Sequence, residues 1–540
     1  MNHGRALLIG AEDEENLAIR YLGAELNKNG HEVRIVPCSR YQDFALVLEE
    51  LKTFNPDMVA VSIAFQSMGN MFLDVIEKIK DIKTDVHVTT GGHFPTFEYQ
   101  KLLEYRSIDS VIRFEGEEAI VLLLEALVNN LGLADIPNLV YKENNVIIEN
   151  VSHHQFSDLD LIPFPLREKK AQKRLGEKFA TLVTSRGCFH SRCIYCCIGA
   201  FHYPKKEEKY ALRSAENVAR EMGILYHQKD VRLFQFHDDN FLLPTPDMSL
   251  KRLYSLKTAL KNEKIDTSQI ALLIKTRPDA LNLEVLSLLK ELGIVGVFLG
   301  VENASVSGLK ALGRDSDLGD INEALELLKD NLAVTFNLLI FHPRATLEEI
   351  NQNIYFMKDH QNLAFDFGRA EIVAGSLLEK LVQRKNLLRG RWPHWDYRIE
   401  DDAVEKIFRI NALTFYRDSS PYPALSHKLI ALSYRAQLIN RFYPGKKAQK
   451  LQNETKDVIM TSNKFTLESL LEIYRMVAYD EYEIDPLYYQ METFYGILTR
   501  KAADLSKRME RFQLVEKEFK KRGLDNYFQN SKTMERIFRI

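Results

Sequence analysis

Short apolar runs alternate with amphipathic stretches through the first 150 residues. The runs begin at Ala6, Val33, Met58, His87 and Ser110, and helical patterns cover 15–29, 41–54 and 70–82. Strands and helices that alternate at this spacing predict βαβ units and a doubly wound parallel sheet of the α/β class. Residues 1–150 are therefore predicted to form one domain, which closes with a hairpin around Glu143-Asn144-Asn145.

The same alternation returns after a linker predicted at 151–178. The linker contains the segment Leu159-Asp-Leu-Ile-Pro-Phe-Pro165 followed by a basic run. Candidate strands then fall at 180–184, 233–237, 271–275, 296–300, 335–341 and 365–372. Six parallel βα units predict a partial TIM-type barrel over 179–375, whose chemistry would lie at the carboxyl ends of its strands. Residues 376–540 predict a mainly helical substrate or lid domain over the barrel mouth.

Composition excludes several classes of function. The formal net charge is −3 over 540 residues, so the whole chain offers no case for nucleic-acid or membrane binding. The basic segment 500–540 is interpreted as the solvated face of helices. The chain begins without the basic and long apolar regions of a signal peptide, and its most apolar run, 294–301, is far shorter than a membrane helix. These features predict a cytoplasmic protein.

Polar and glycine residues follow the predicted strands of the first domain. Ligands of doubly wound sheets lie beyond the carboxyl ends of the strands, so these residues are candidates for a binding site. Glycines leave room for close backbone approach, and amides with a threonine hydroxyl hold phosphate or amide groups, although twin glycines are also common in ordinary turns. The candidates are Gly10, Asn16, Ser62, Gln66, Thr90, Gly91, Gly92, His93, Glu115, Gly116 and Glu117.

Four of the five cysteines lie in one stretch, TSRGCFHSRCIYCC, directly after a predicted strand. Cys188, Cys193 and Cys196 form C-x4-C-x2-C, a spacing at which thiolates can converge on a metal centre. Three ligands on a four-iron cluster would leave one iron open to substrate. Zinc bound by three cysteines with His190 or His202 is the alternative, and a redox pair at Cys193 and Cys196 is another.

This stretch resembles the signature of radical S-adenosylmethionine (radical SAM) enzymes, and in particular the branch with an N-terminal, Rossmann-like cobalamin-binding domain. The resemblance covers about residues 5–400. Supporting motifs follow in order: Arg113-Phe-Glu-Gly-Glu117, Phe236-His-Asp-Asp-Asn-Phe241, Lys275-Thr-Arg277, Gly300-Val-Glu-Asn303 and Arg369-Ala-Glu371. The chain departs from the family in two ways. One extra residue separates the first two cysteines, and the Asp-x-His-x-x-Gly motif that supplies a histidine to cobalt is missing.

The resemblance implies a [4Fe-4S] cluster on Cys188, Cys193 and Cys196, with Cys197 as the competing third ligand. It also implies cobalamin at the strand-end residues of the first domain, with His93 beside the cofactor rather than bound to cobalt. For S-adenosylmethionine, the implied residues are Tyr195, Asp238, Asp239, Lys275, Arg277 and Glu302. Five of the six have a structural alternative: Asp238 and Asp239 could cap a helix or form salt bridges, Lys275 and Arg277 could pair with Asp279, and Tyr195 could fill the core.

The resemblance therefore implies an enzyme that cleaves S-adenosylmethionine to a 5′-deoxyadenosyl radical, with an external electron donor such as flavodoxin or ferredoxin. A methyltransferase acting on an unactivated carbon of a small-molecule or peptide intermediate is the leading hypothesis. A rearrangement, ring contraction or cyclisation without net methyl transfer is the alternative with the same cofactors. A non-enzymatic sensor with a structural zinc site is the hypothesis from another class.

Overall fold

The computed structural model describes residues 2–12, 14–144, 146–152, 158–202, 210–417 and 419–521. Asn145, at the tip of the predicted hairpin, and the end of the basic segment, 522–540, lie outside these ranges. Within the described part of the chain, no helix has the length and apolarity needed to cross a membrane.

The N-terminal domain is a seven-stranded sheet whose order is β2-β1-β3-β4-β5-β6-β7, with β1 to β5 parallel and the hairpin β6–β7 antiparallel. The predicted doubly wound fold is confirmed, because two separate apolar cores cover the two faces of the sheet. The strands are Arg5–Gly10 (β1), Glu32–Pro37 (β2), Met58–Ser62 (β3), His87–Gly91 (β4), Ser110–Ile112 (β5), Leu139–Glu143 (β6) and Val146–Glu149 (β7). The helices are Leu17–Lys28 (α1), Phe44–Phe54 (α2), Gly69–Ile82 (α3), His93–Leu102 (α4) and Glu117–Asn129 (α5).

The second domain is an open, curved sheet in the order β16-β15-β14-β13-β12-β9-β8, in which only β8 is antiparallel. The six parallel strands predicted for a partial barrel are therefore present. The strands are Gln172–Arg174 (β8), Glu177–Leu182 (β9), Ser185–Gly187 (β10), Tyr210–Leu212 (β11), Leu233–Phe236 (β12), Ala271–Thr276 (β13), Ile294–Glu302 (β14), Ala333–Phe341 (β15) and Ala364–Arg369 (β16). The helices are Ile198–His202 (α6), Ala215–Lys229 (α7), Pro246–Asn262 (α8), Leu283–Leu292 (α9), Val306–Ala311 (α10), Leu318–Leu328 (α11) and Leu347–Asp359 (α12).

The C-terminal region is helical, as predicted, except for one hairpin. It comprises Leu377–Arg384 (α13), Leu388–Arg391 (β17), His394–Tyr397 (β18), Asp402–Thr414 (α14), Tyr422–Phe442 (α15), Lys446–Tyr479 (α16) and Ile484–Lys521 (α17). The hairpin β17–β18 packs against the N-terminal domain: the Trp392 indole nitrogen donates to Glu98 at 2.7 Å and its ring lies 5.9 Å from Phe94. The hairpin also contacts the barrel, because the Tyr397 hydroxyl lies 3.3 Å from the Phe341 carbonyl and 2.7 Å from the Ala370 carbonyl, at the carboxyl ends of β15 and β16.

Helix α15 lies against the inner face of the open barrel. A Cβ placed at Gly296 on β14 would lie 2.5 Å from the Tyr434 ring, whose hydroxyl bonds the Thr335 hydroxyl on β15 at 2.5 Å. One turn further, Leu438 joins an apolar cluster with Phe179 near the amino ends of the strands. The absent side chain at Gly296 thus makes room for a helix that fills the lower interior, while the carboxyl ends of the strands face the N-terminal domain.

Candidate functional site

A cavity of about 320 Å³ lies between the two sheets, where the carboxyl ends of the N-terminal strands meet the first strands of the barrel. Its N-terminal wall contains nine of the eleven residues predicted to bind a cofactor: Asn16, Ser62, Thr90, Gly91, Gly92, His93, Glu115, Gly116 and Glu117. Its barrel wall contains Ser185, Arg186, His237 and Asp239, with Ile198, Phe201 and His202 from the segment after the cysteines. The cavity thus joins the two groups of candidate residues.

The two remaining predicted residues are used by the protein itself. Gly10 lies against the helix cap, because a Cβ there would be 2.7 Å from the Asn16 side-chain nitrogen. Gln66 reaches the barrel, where its side-chain oxygen accepts from the Ala374 amide at 3.0 Å. Gln66 therefore helps to dock the two domains, and the structure does not place it on the cavity wall.

The wall near β4 suits a large cofactor with polar substituents. The hydroxyls of Thr89 and Thr90 are buried and have no hydrogen-bond partner within the described protein. Gly92 has φ of +106°, and a Cβ there would lie 2.8 Å from the Ile63 carbonyl oxygen. Burial lowers the pKa of His93 to about 4, so its imidazole is neutral near pH 7, and its ring lies 4.5 Å from Phe201.

The acidic loop before α1 has a different role from the rest of this wall. Glu12 bonds Arg20 at 2.5 Å, and Glu15 forms an ion pair with Arg167 of the linker. Arg167 also contacts Glu221 on α7 at 2.6 Å. A row of buried ion pairs therefore ties the first loop to the linker and the barrel, because each desolvated charge lies beside an opposite one.

The cysteine loop begins at β10, and its backbone accommodates the extra residue between Cys188 and Cys193 in a turn. Ser191 has φ of +49°, and its hydroxyl donates to the Cys188 carbonyl, so the extra residue forms a tight left-handed turn. The ring of His190 is held at both nitrogens, with Nε2 2.8 Å from the Gly313 carbonyl and Nδ1 3.0 Å from Asp315. Both ring nitrogens of His190, one of the two histidines that the zinc alternative offers as fourth ligand, therefore already have protein partners.

Cys188, Cys193 and Cys196 are partly exposed, whereas Cys197 is buried. Burial would raise the pKa of Cys193, but a hydrogen bond from His190 and the charge of Arg314, 3.9 Å away at Nη1, outweigh it and lower that pKa. Burial raises the pKa of Cys196 to about 12 and that of Cys197 to about 11. Among the residues the structure describes, no group of three or more His, Cys, Asp and Glu side chains is arranged to hold a single metal ion.

Two of the residues predicted for S-adenosylmethionine are occupied by protein partners. Asp238 is fully buried and accepts from the amides of Thr184 at 2.6 Å and Ser185 at 3.0 Å. Arg277 forms ion pairs with Asp279 and, at 2.7 Å, with Asp315, as in the structural alternative. The Asp238 carboxylate therefore positions the start of the cysteine loop, since the chain after β9 turns back over the end of β12.

The other four predicted residues remain near the cysteines. Asp239 accepts from the Gly187 amide at 3.2 Å, and burial raises its pKa. Lys275 is exposed on β13, and it has no hydrogen bond or salt bridge to the described protein. Glu302 ends β14 with φ of +68°; burial raises its pKa, and Tyr195 forms a hydrogen bond with its carboxylate. The role of these four residues stays a prediction.

Sequence reasoning missed Arg186 and Arg314. Arg186 is inside the motif TSRGC and binds Glu115 at 3.2 Å and Glu117 at 2.5 Å across the domain boundary. Arg314 follows a glycine after α10 and lies 121 residues from the cysteine that it contacts. For Arg186 the signal was its position two residues before Cys188 in the cysteine loop; for Arg314 the local sequence carries no signal.

Comparison with known proteins agrees with this geometry. Residues 10–124 match the family model described as B12 binding domain, and residues 182–356 match the model of the radical SAM superfamily. The chain is 28% identical to an uncharacterized methyltransferase of Pyrococcus horikoshii over 74% of this chain and 87% of the relative. It is 26% identical to the hopanoid C-3 methylase of Methylococcus capsulatus over 60% of this chain and 61% of the relative.

The chain is also similar to a further relative and to a solved structure. An anaerobic magnesium-protoporphyrin IX monomethyl ester cyclase of Synechocystis sp. is 27% identical over 52% of this chain and 54% of the relative. The solved structure of the cobalamin-dependent S-adenosylmethionine radical enzyme OxsB with aqua-cobalamin bound superposes with a TM-score of 0.64 at 16% identity. That superposition covers 94% of this chain and 84% of the other, and at this identity it shows a shared fold.

The residues present fit the groups that these families bind. Three partly exposed thiols suit an iron–sulfur cluster, and Thr89 and Thr90, whose buried hydroxyls have no partner within the described protein, line a cavity whose glycine wall suits a corrinoid. Cobalamin, S-adenosylmethionine and a [4Fe-4S] cluster are the typical cofactors of proteins that combine these two domains. The chain therefore belongs to the B12-binding branch of the radical SAM superfamily, as a cobalamin-dependent radical SAM enzyme.

Proposed function

We propose that this enzyme is a methyltransferase that acts on an unactivated carbon of a small-molecule or peptide natural-product intermediate. The single observation that carries the proposal is the shared cavity, in which the B12-binding wall faces the strand ends beside the cysteine loop. Cofactors held on these two walls would act on one substrate. When bound, they supply a carbon radical and a transferable methyl group, while the protein supplies position and protection.

The named relatives support methyl transfer over the alternative. The relative that shares 87% of its own length with this chain is described as a methyltransferase, and a second is a methylase. The match to the cyclase covers 54% of that relative. Cyclisation or rearrangement is the second candidate, because a relative described as a cyclase is 27% identical over 52% of this chain.

The chain's own residues would act as follows. Cys188, Cys193 and Cys196 would hold the cluster, with Arg314 and His190 stabilising the Cys193 thiolate. Asp239, rather than Asp238, is the open acceptor for the ammonium of S-adenosylmethionine, since Asp238 is fully hydrogen-bonded. Lys275 is the open cation for its carboxylate.

Exclusion of water is a second task of the protein. Phe201 and Phe114, whose rings lie 5.9 Å apart, line the cavity beside His93, and the neutral imidazole adds no charge to this apolar wall. A reactive radical needs such a closed site, because an open one would let it abstract hydrogen from the wrong donor. Radical SAM enzymes also need a reductant, and flavodoxin or ferredoxin is the proposed donor.

The experiment is anaerobic reconstitution with iron, sulfide and hydroxocobalamin, followed by reductant and S-adenosylmethionine carrying a deuterated methyl group, with a metabolite extract as the substrate source. Methyl transfer predicts both 5′-deoxyadenosine and S-adenosylhomocysteine, and a labelled methyl group in a product. Formation of 5′-deoxyadenosine without S-adenosylhomocysteine would replace the proposal by rearrangement or cyclisation. Bound zinc, with neither corrinoid nor S-adenosylmethionine cleavage, would support the sensor hypothesis.

A further inference from the structure

We propose that Arg186 is a positioning residue that sets the cluster loop at a fixed place against the cobalamin cavity. It does so through an ion-pair clamp with Glu115 and Glu117. The inference goes beyond the proposed function, because the clamp would serve methyl transfer and rearrangement equally.

The clamp joins the two domains directly. Arg186 lies on β10, two residues before Cys188, and Glu117 is the first residue of α5 in the N-terminal domain. The guanidinium nitrogen Nη1 lies 3.2 Å from Glu115 Oε1, and Nη2 lies 2.5 Å from Glu117 Oε1. All three side chains line the cavity. A shift of the cysteine loop relative to the corrinoid wall would therefore break these bonds first.

Burial makes the clamp a strong geometric constraint. The three side chains are 16–18% exposed. Burial would raise the pKa of Glu117, but the charge of Arg186 outweighs it and holds that pKa below its usual value. A planar guanidinium that bonds two carboxylates at separate nitrogens fixes orientation as well as distance, which an ammonium does not. Removing it would leave two partly buried carboxylates uncompensated at the cavity wall.

The remaining interface allows the clamp to be tested without unfolding the protein. The ion pairs of Arg20 with Glu168 and of Arg167 with Glu15 and Glu221 also tie the domains together, and they run through the linker. A variant of Arg186 therefore keeps other domain contacts. The direct alternative is that Glu115 and Glu117 bind the corrinoid themselves and that Arg186 acts independently of them.

A double-mutant cycle separates these two readings. The proteins are Arg186→Met, Glu117→Gln and the double variant, each with its cluster reconstituted, and the measurement is the Kd for hydroxocobalamin by absorbance. A clamp predicts that each single variant raises Kd by about tenfold or more and that the double variant is no weaker than the worse single one. Unchanged Kd values, or single effects that add, would overturn the proposal. Lys257→Met and Glu291→Gln, an exposed ion pair on α8 and α9 at 2.5 Å, form the matched control cycle, expected to leave Kd unchanged.

A spectroscopic measurement tests the position of the cluster relative to cobalamin. At saturating cobalamin, electron paramagnetic resonance of the reduced cluster and cob(II)alamin reports their mutual distance through dipolar broadening. Arg186→Met is expected to change or widen that broadening while iron content stays at the wild-type level, and identical spectra would refute a positioning role. If Arg186→Met fails to fold, Arg186→Lys is the second variant, because it keeps the positive charge but lacks the planar guanidinium that bonds two carboxylates at once. It is expected to give a Kd for hydroxocobalamin between those of wild type and a broken clamp. A wild-type Kd and a wild-type spectrum would count against the clamp.

Discussion

Gly92 offers the sharpest test of how the cobalamin wall is built. It joins β4 to α4 with φ of +106° and ψ of −173°, a conformation that is essentially restricted to glycine. An added Cβ would lie 2.8 Å from the Ile63 carbonyl oxygen and 3.2 Å from its carbonyl carbon. Both are backbone atoms of the loop after β3, so no flexible side chain can move aside.

The expected cost of Gly92→Ala follows from these two effects. Backbone strain in this region costs about 1–3 kcal/mol, and overpacking against atoms that must shift adds about 1–3 kcal/mol. We therefore expect the N-terminal domain to lose about 2–6 kcal/mol of stability. Ile63 lies between Ser62 and Ala64 of the cavity wall, so the displacement should also weaken cobalamin binding.

The assay is urea unfolding together with hydroxocobalamin titration of the same samples. Gly496→Ala is the matched control, because Gly496 lies within α17 and a Cβ there meets nothing within 4 Å. The control should gain up to about 1 kcal/mol from helix propensity and bind cobalamin normally. A Gly92→Ala protein that unfolds within about 0.5 kcal/mol of wild type and binds cobalamin equally would refute the reasoning, since surface changes alone fall in that range.

Three further predictions concern the cluster, the cavity histidine and S-adenosylmethionine. Cys196→Ala should lose the cluster, whereas Cys197→Ala should keep it because the Cys197 side chain is buried in the protein. Iron content and visible absorption measure the cluster. The reverse result would make Cys197, and not Cys196, the third ligand. Burial lowers the pKa of His93 to about 4, so between pH 6.5 and 4 the unfolded chain binds a proton that the folded domain does not. The free energy of unfolding should therefore fall by at most about 3 kcal/mol as the pH is lowered through this range. A His93→Phe variant with the same unfolding profile over that pH range would contradict this origin. Lys275→Met should raise the Kd for S-adenosylmethionine by about tenfold, with Lys251→Met on α8 as the control, and equal affinities would remove Lys275 from the site.

The periodicity of the chain was enough to predict both parallel sheets. The inner strands β1, β3 and β13 to β15 are largely buried on both faces, so they read as continuous apolar runs between amphipathic helices. The strand ends followed from the same pattern, and this is why most candidate residues of the N-terminal wall line one cavity. The cysteine spacing likewise predicts a shared metal centre.

Chemistry that depends on partners from distant segments was not predictable. Asp238 looks in sequence like an open strand-end acid, but the returning chain places two amides on its carboxylate. Gln66 looks like a rim residue, yet it reaches the Ala374 amide of the barrel. In both cases the competing partner is far away in sequence, and its approach depends on how loops cross between domains.

The sequence by itself determined the two α/β domains, the helical C-terminal region and the identity of the cysteine loop, because local periodicity and ligand spacing are properties of short segments. Only the tertiary structure decided which acids remain open, that α15 fills the lower barrel, and that Arg186 forms ion pairs with Glu115 and Glu117 of the B12-binding domain. The physical reason is that burial and charge pairing belong to the packed interface. Neither exists until segments more than 60 residues apart, such as Glu117 and Arg186, are brought within hydrogen-bonding distance.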